Sequence, residues 1–255
     1  MEPIALTMDV LAILFFSGLL AGLVDAIAGG GGLIALPALL FAGIPPQLAL
    51  GTNKLQGSFG TLAAAFNYIR KGEASLKEAW RGILFTLVGA ASGAVLVQQL
   101  NPDFLKPVIP VLLFLVFIYT LFSRNLGLKA GVPRVSPGLF FMFLGLGLGF
   151  YDGFFGPGTG SFWTMAFMVL LGLNMTRASG FTKVMNFTSN VVALSFFIMG
   201  GNVLYSVGLV MACGQIVGAG IGSTLAIKNG AQFIRPVFLT VIFLTIVRLG
   251  YQNFF

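Results

Sequence analysis

The chain has 255 residues, of which 57% are hydrophobic and 8% charged, against roughly 25% charged in an average soluble domain. With a mean hydropathy of +0.98, this excludes an ordinary water-soluble domain and predicts an all-α, polytopic helical membrane protein. The net charge of +7 does not mark a nucleic-acid binder, because the basic residues are scattered through short loops between apolar runs. Histidine is absent and Cys213 is the single cysteine, so no disulfide, metal site or cofactor is expected.

Residues 1–9 contain no Lys or Arg and two acids, Glu2 and Asp9. They lack the basic start of a cleavable signal peptide, and the run that follows reads as a retained transmembrane helix. That first helix, residues 8–28, is long enough at about 1.5 Å per residue to cross a hydrocarbon core of about 30 Å. It ends in the glycine cluster 29–32. The second helix, 33–42, reaches only about 15 Å, half the bilayer, before Gly43-Ile44-Pro45-Pro46 stops it. The third, 47–70, carries Thr52-Asn53-Lys54 in its first turns, and the fourth, 75–98, contains Gly89 and Gly93 at the spacing that lets membrane helices approach closely. A fifth, 104–122, is followed by a polar loop with Arg124, Lys129 and Arg134. The second half runs as 137–155, a short segment 161–171, then 175–199, 204–227 and 235–251.

The two halves share a plan. Asp25 and Asp152 are the acidic residues that lie deep in apolar runs, and each precedes a glycine cluster. The shift between them, 127 residues, also relates Gly18 to Gly145, Gly22 to Gly149, Gly29 to Gly156 and Gly31 to Gly158. After the Pro45/Gly172 turn it becomes 129 and relates Gly51 to Gly180, Lys54 to Lys183, Gly72 to Gly201, Gly89 to Gly218 and Gly93 to Gly222. Asp and Lys are rare here, so their coincidence points to a duplicated five-helix unit. The expected domains are a first repeat at 1–122, a cytoplasmic linker at 123–136 and a second repeat at 137–255. With helix 1 starting outside, ten of the fourteen basic residues fall in inner loops, a positive-inside bias that puts both termini outside. Five crossings per unit invert the second repeat. Inverted repeats with short, glycine-interrupted segments at matching positions are the pattern of secondary transporters. About eight full spans and two short broken helices are expected.

Inversion would bring the N-termini of both short helices to the membrane midplane from opposite sides. Each would present N–H groups and a partial positive charge of about +0.5, which makes an anion site. Glycine backbone at Gly29, Gly31, Gly32, Gly158 and Gly160 would lie close to the ligand, with Thr159 and Ser161 adding hydroxyl donors. The glycines would equally serve tight helix packing. Lys183, Asn186 and Asn190 share one helix face, with Lys54, Gly57 and Thr61 as first-half equivalents. Beside Thr52, Asn53 and Thr182, the two lysines read as substrate or counter-ion groups, or else as side chains that snorkel to the surface. On the first of those readings, Lys→Met at either position weakens binding and spares the fold. An ionisable residue inside a membrane segment is by default a functional candidate, so Asp25 and Asp152 are assigned to proton coupling, unless each reaches water at a membrane surface.

The stretches Asp25-Ala26-Ile27-Ala28-Gly29-Gly30-Gly31-Gly32-Leu33 with Pro37, Thr52-Asn53-Lys54, and Gly149-Phe150-Tyr151-Asp152-Gly153-Phe154-Phe155-Gly156-Pro157-Gly158 resemble the sulfite exporter TauE/SafE family, also called the toluene-sulfonate uptake permease family. The similarity covers nearly the whole chain and is nearest to bacterial inner-membrane members. It implies transport of small sulfur-containing or organic anions such as sulfite, sulfoacetate or other sulfonates, in either direction.

The leading expectation is a non-enzymatic secondary carrier in a bacterial inner membrane, with a small anion and the lipid bilayer as its partners. Neither glycine cluster is a nucleotide loop, so an ion gradient or the substrate's own gradient would drive it. An anion channel would use the same donors. An intramembrane aspartyl protease is the remote alternative, on Tyr151-Asp152, Gly22-Leu23-Val24-Asp25 and Pro37-Ala38-Leu39. The order of these motifs is wrong for that family.

Overall fold

The computed structural model of the chain describes residues 7–115, except 102, 106, 110 and 113, and residues 131–229. Eight helices are delimited there: α1 (Met8–Ala28), α2 (Gly32–Phe41), α3 (Pro46–Arg70), α4 (Leu76–Gln99), α5 (Pro137–Phe154), α6 (Thr159–Leu171), α7 (Met175–Met199) and α8 (Tyr205–Asn229). The described residues between 103 and 115 are helical as well, within the fifth predicted segment. Its end, the linker up to residue 130 and the tenth segment lie outside the described residues.

Helix ends follow from local chemistry. Thr7, Ser136 and Asn174 cap α1, α5 and α7 by accepting N–H bonds from Val10, Leu139 and Arg177. Pro46 and Pro137 occupy the first turns of α3 and α5, where a missing N–H costs nothing. Glycines at φ +77 (Gly29), +78 (Gly43), +83 (Gly158) and +66 (Gly172) close or open α1, α2 and α6.

Five helices among the described residues, α1, α4, α5, α7 and α8, are long and apolar enough to cross a membrane, fewer than the eight full spans expected. Part of the shortfall is polarity. α3 has 25 residues but buries Thr52, Asn53, Lys54, Gln56, Ser58 and Thr61. The molecule has its polar groups inside and large apolar side chains outside, Phe16, Phe66, Leu84, Phe143 and Leu209 among them. A soluble protein would reverse this; a lipid solvent favours it.

Contacts between the two halves recur at positions related by the 127- and 129-residue shifts. The most extensive helix pairs are α1 with α8 and α4 with α5. Gly22 of α1 meets Gln215 and Ala219, while Gly214, Gly218 and Gly222 of α8 receive the α1 backbone from Phe15 to Leu23. At the matching positions Gly149 and Gly153 meet Thr86 and Ala90, and Gly89 and Gly93 receive the α5 backbone from Leu146 to Phe154. Likewise Gly51 abuts the carbonyl of Asn202, and Gly180, 129 residues on, abuts that of Glu73. Small residues let these backbones pack without intervening side chains.

The breaks α1/α2 and α5/α6 touch. A Cβ at Gly29 would fall within the backbone of Gly160, one at Gly160 within that of Gly29, and one at Gly32 against Pro157. Gly29 and Gly43 share nearly the same φ, but a Cβ at Gly43 meets nothing within 4 Å. Both Ala variants would bear the strain of positive φ, about 1 kcal/mol, and only Gly29→Ala would add overpacking of roughly 1–3 kcal/mol or more. Gly29→Ala is therefore expected to lower the apparent melting temperature in detergent clearly more than Gly43→Ala. Equal losses would show that the Gly29–Gly160 approach does not constrain the fold.

Candidate functional site

Where the two breaks meet, about 400 Å³ of atom-free space, including its opening, lies between α1, α2, α3, α5, α6, α7 and α8. Backbone lines it at Gly29, Gly31, Gly32, Gly156, Gly158 and Gly160; side chains line it at Asp25, Asp152, Lys54, Asn53, Gln56, Thr61, Asn186, Asn190 and Gln215. The first turns of α2 and α6 thus border one space, with the positive ends of their dipoles toward it. Several of their N–H groups are already engaged. Gly31 donates to Asp25 Oδ1 at 3.2 Å, and Leu33, Thr159 and Ser161 donate to the carbonyls of Gly30, Gly156 and Gly158.

Two ion pairs flank the cavity, and they run between the halves. Lys54 of α3 donates to Asp152 Oδ1 of α5 at 2.6 Å, with side-chain exposures of 1% and 5%. Lys183 of α7 donates to Asp25 Oδ2 of α1 at 2.9 Å, with exposures of 1% and 14%. Neither lysine snorkels. Ser189 donates to Asp152 Oδ2, and Lys183 also donates to the main-chain oxygen of Asp25. Two lysines and two aspartates leave this set formally neutral. The pairing bears on the expectation that Lys→Met would spare the fold, because removing Lys54 strands a buried carboxylate and removing Lys183 a half-buried one.

The expected binding residues divide into two sets. Gly29, Gly31, Gly32, Asn53, Lys54, Gly158, Gly160 and Asn186 come together on the cavity, with both aspartates. Thr52, Thr159, Ser161, Thr182 and Lys183 do not line it. Thr52 Oγ1 accepts from the N–H of Leu204 at 3.0 Å, Thr159 donates to Gly156 O at 2.6 Å, Ser161 to Ala28 O at 2.8 Å, and Thr182 shares a bond with Thr164 at 3.0 Å. Thr159 and Ser161 thus tie the breaks themselves, Thr52 the start of α8 to α3, and Thr182 α7 to α6.

Sequence reasoning passed over Gln56, Gln215 and Ser189. Each is a buried polar side chain within a membrane-type helix, a signal available in principle because such groups need an internal partner. Gln56 has one for half of its amide. Its Nε2 donates to Asn53 Oδ1 at 2.7 Å and to Asn53 O at 3.2 Å, while Oε1 has no partner among the described residues. Asn186 Oδ1 is also without one.

An apolar shell around helix breaks and a buried, charge-balanced polar cavity describe a polytopic membrane protein. The profile of the family described as Sulfite exporter TauE/SafE matches residues 14–249, and the chain belongs to that family. It is 44% identical over 244 residues to "Probable membrane transporter protein ORF9" of a Sinorhizobium species, covering 96% of this chain and 94% of that one. It is 43% identical to a "Probable membrane transporter protein" of Haemophilus influenzae, covering 96% of both chains. It is 42% identical to "Probable membrane transporter protein YfcA" of Escherichia coli K12, covering 95% and 90%. It is thus a multi-pass membrane protein of a transporter family.

Proposed function

We propose that this protein is a secondary carrier in a bacterial inner membrane for small anions, sulfur oxyanions or sulfonates, and that anion movement is coupled to protons. The observation that supports this best is the pair of crossed ion pairs, Lys54–Asp152 and Lys183–Asp25, around one cavity at the meeting of two broken helices. Helix N-termini, Asn53, Asn186 and Lys54 supply the anion's donors. Protonation of one aspartate releases its lysine, so anion and proton would enter a formally neutral site together. The two halves act as inverted repeats with both termini outside, and rock about the cavity in alternating access.

An anion channel would use the same donors. The carrier is favoured because the ion pairs bridge the halves, so a continuous pore would have to part them. A protease of the aspartyl type needs two carboxylates that share a proton, whereas here each carboxylate is paired with its own lysine.

Thermal stabilisation of the purified protein across sulfite, thiosulfate, alkanesulfonates and carboxylates tests the substrate class, because a ligand that binds the native state stabilises it by about 2.7 kcal/mol at 100 Kd. Sulfite or a sulfonate should raise the melting temperature and carboxylates should not. In liposomes the same anion should cross by saturable, gradient-coupled flux. Linear, unsaturated flux would mark a channel, and no shift with any sulfur anion would remove the substrate class.

A further inference from the structure

We infer that the transported anion carries a hydrogen-bond donor of its own, an O–H or N–H group, and that the side-chain carbonyl of Gln56 receives it. This rests on the anion-carrier reading and sharpens it to oxyanions in their hydrogen form and to hydroxy- or amino-substituted sulfonates.

Gln56 is 1% exposed, lines the cavity and has an unpartnered Oε1. Which end of an amide is oxygen is usually open to question, but here the bond from Nε2 to the main-chain carbonyl of Asn53 fixes it. Turning the group over would set two oxygens against each other. The amide is therefore held in this orientation by Asn53, which takes the bonds from its Nε2, on a side chain that lines the cavity. An acceptor buried without a donor is unfavourable, and the fold does not need one here. The 129-residue shift matches Gln56 to Met185 and Asn186 to Gly57. Met185 is fully buried, so an apolar side chain serves this packing position in the other half. Both unpartnered carbonyls thus belong to residues that line the cavity at positions where the halves differ. A ligand with donors on one side only would bind there in a single orientation, its anionic group toward Lys54 and the helix N-termini.

Two isosteric probes test this: 2-hydroxyethanesulfonate, with a donor, and 1-propanesulfonate, with a methyl group in its place. Dissociation constants measured by calorimetry on the full chain in detergent should favour the hydroxyl compound by about tenfold, or 1.4 kcal/mol. In Gln56→Met, which installs the residue found at position 185, the ratio should fall to near one. Equal constants on the parent protein, or tighter binding of propanesulfonate, would overturn the donor inference and leave the anion reading standing. A tenfold preference that persists in Gln56→Met would show that Gln56 is not the acceptor. Binding of neither probe would remove the sulfonate reading along with it. The parent comparison decides the first point even if the variant does not fold.

Discussion

Lys54→Met should destabilise the purified protein by about 3–5 kcal/mol, the usual consequence of removing one partner of a buried ion pair. Among the described residues Asp152 would keep only the hydroxyl of Ser189 for its charge, at 3% exposure. Adding Asp152→Leu should restore most of the loss, because replacing a buried pair by apolar side chains of similar volume is often neutral or stabilising. Anion binding separates the roles of the two residues. If Lys54 only neutralises Asp152, the double variant recovers affinity with stability; if it also holds the anion, as proposed, the double variant is stable and binds at least tenfold more weakly. The measurement is the melting temperature and the anion dissociation constant on parent, single and double variants. A single variant as stable as the parent would mean that the Lys54–Asp152 contact carries no weight in the folded state.

Helix boundaries were legible because glycine and proline punctuate this chain. Positive-φ glycines and first-turn prolines act through the local backbone alone, so the starts and ends of α1, α3, α5 and α7 lie within a residue of expectation. The meeting of the two glycine clusters was also legible, from their recurrence at a fixed shift. The partnering of charges was not. The fixed shift in the sequence places one Asp and one Lys in each half but carries no information on which Lys meets which Asp, since that depends on how the halves dock. Across the interface Lys54 reaches Asp152, and Lys183 reaches Asp25.

The hydroxyls show the same limit. Residue type identified Thr159 and Ser161 as possible ligand donors, but the break needs its own carbonyls satisfied, and those of Gly156 and Ala28 lie within reach. Gln56 was obscured by Lys54 two residues away: on a helix, positions i and i+2 do not face alike. Only the convergence of α3 with the two breaks shows that both reach one cavity. The fixed shift therefore marks where polar groups recur. Departures from it, Gln56 against Met185 and Asn186 against Gly57, are where the site acquires direction.

In proteoliposomes, Asp152→Asn should abolish proton movement with the anion, while Asp25→Asn should keep it at a reduced rate. The 127-residue shift relates the two aspartates, but their surroundings differ in two ways. The Asp152 side chain is the less exposed, 5% against 14%, so a change in its charge is felt in a less screened setting. The second difference lies in what each proton would release. Lys54 is on the cavity wall and donates to Asp152 Oδ1, so neutralising Asp152 leaves a cation beside the anion's place. Lys183 is off the wall and also donates to the main-chain oxygen of Asp25, which no proton on the carboxylate removes. Asparagine keeps the shape of the side chain and an acceptor oxygen for Ser189 but cannot exchange a proton. The readout is internal pH during anion flux down an imposed gradient, with the ratio of protons to anions compared across parent and both variants. An unchanged ratio in Asp152→Asn would show that the proton does not travel on this residue. A ratio lost in Asp25→Asn instead would reverse the assignment, and anion flux without pH change in the parent would end the coupling hypothesis for both.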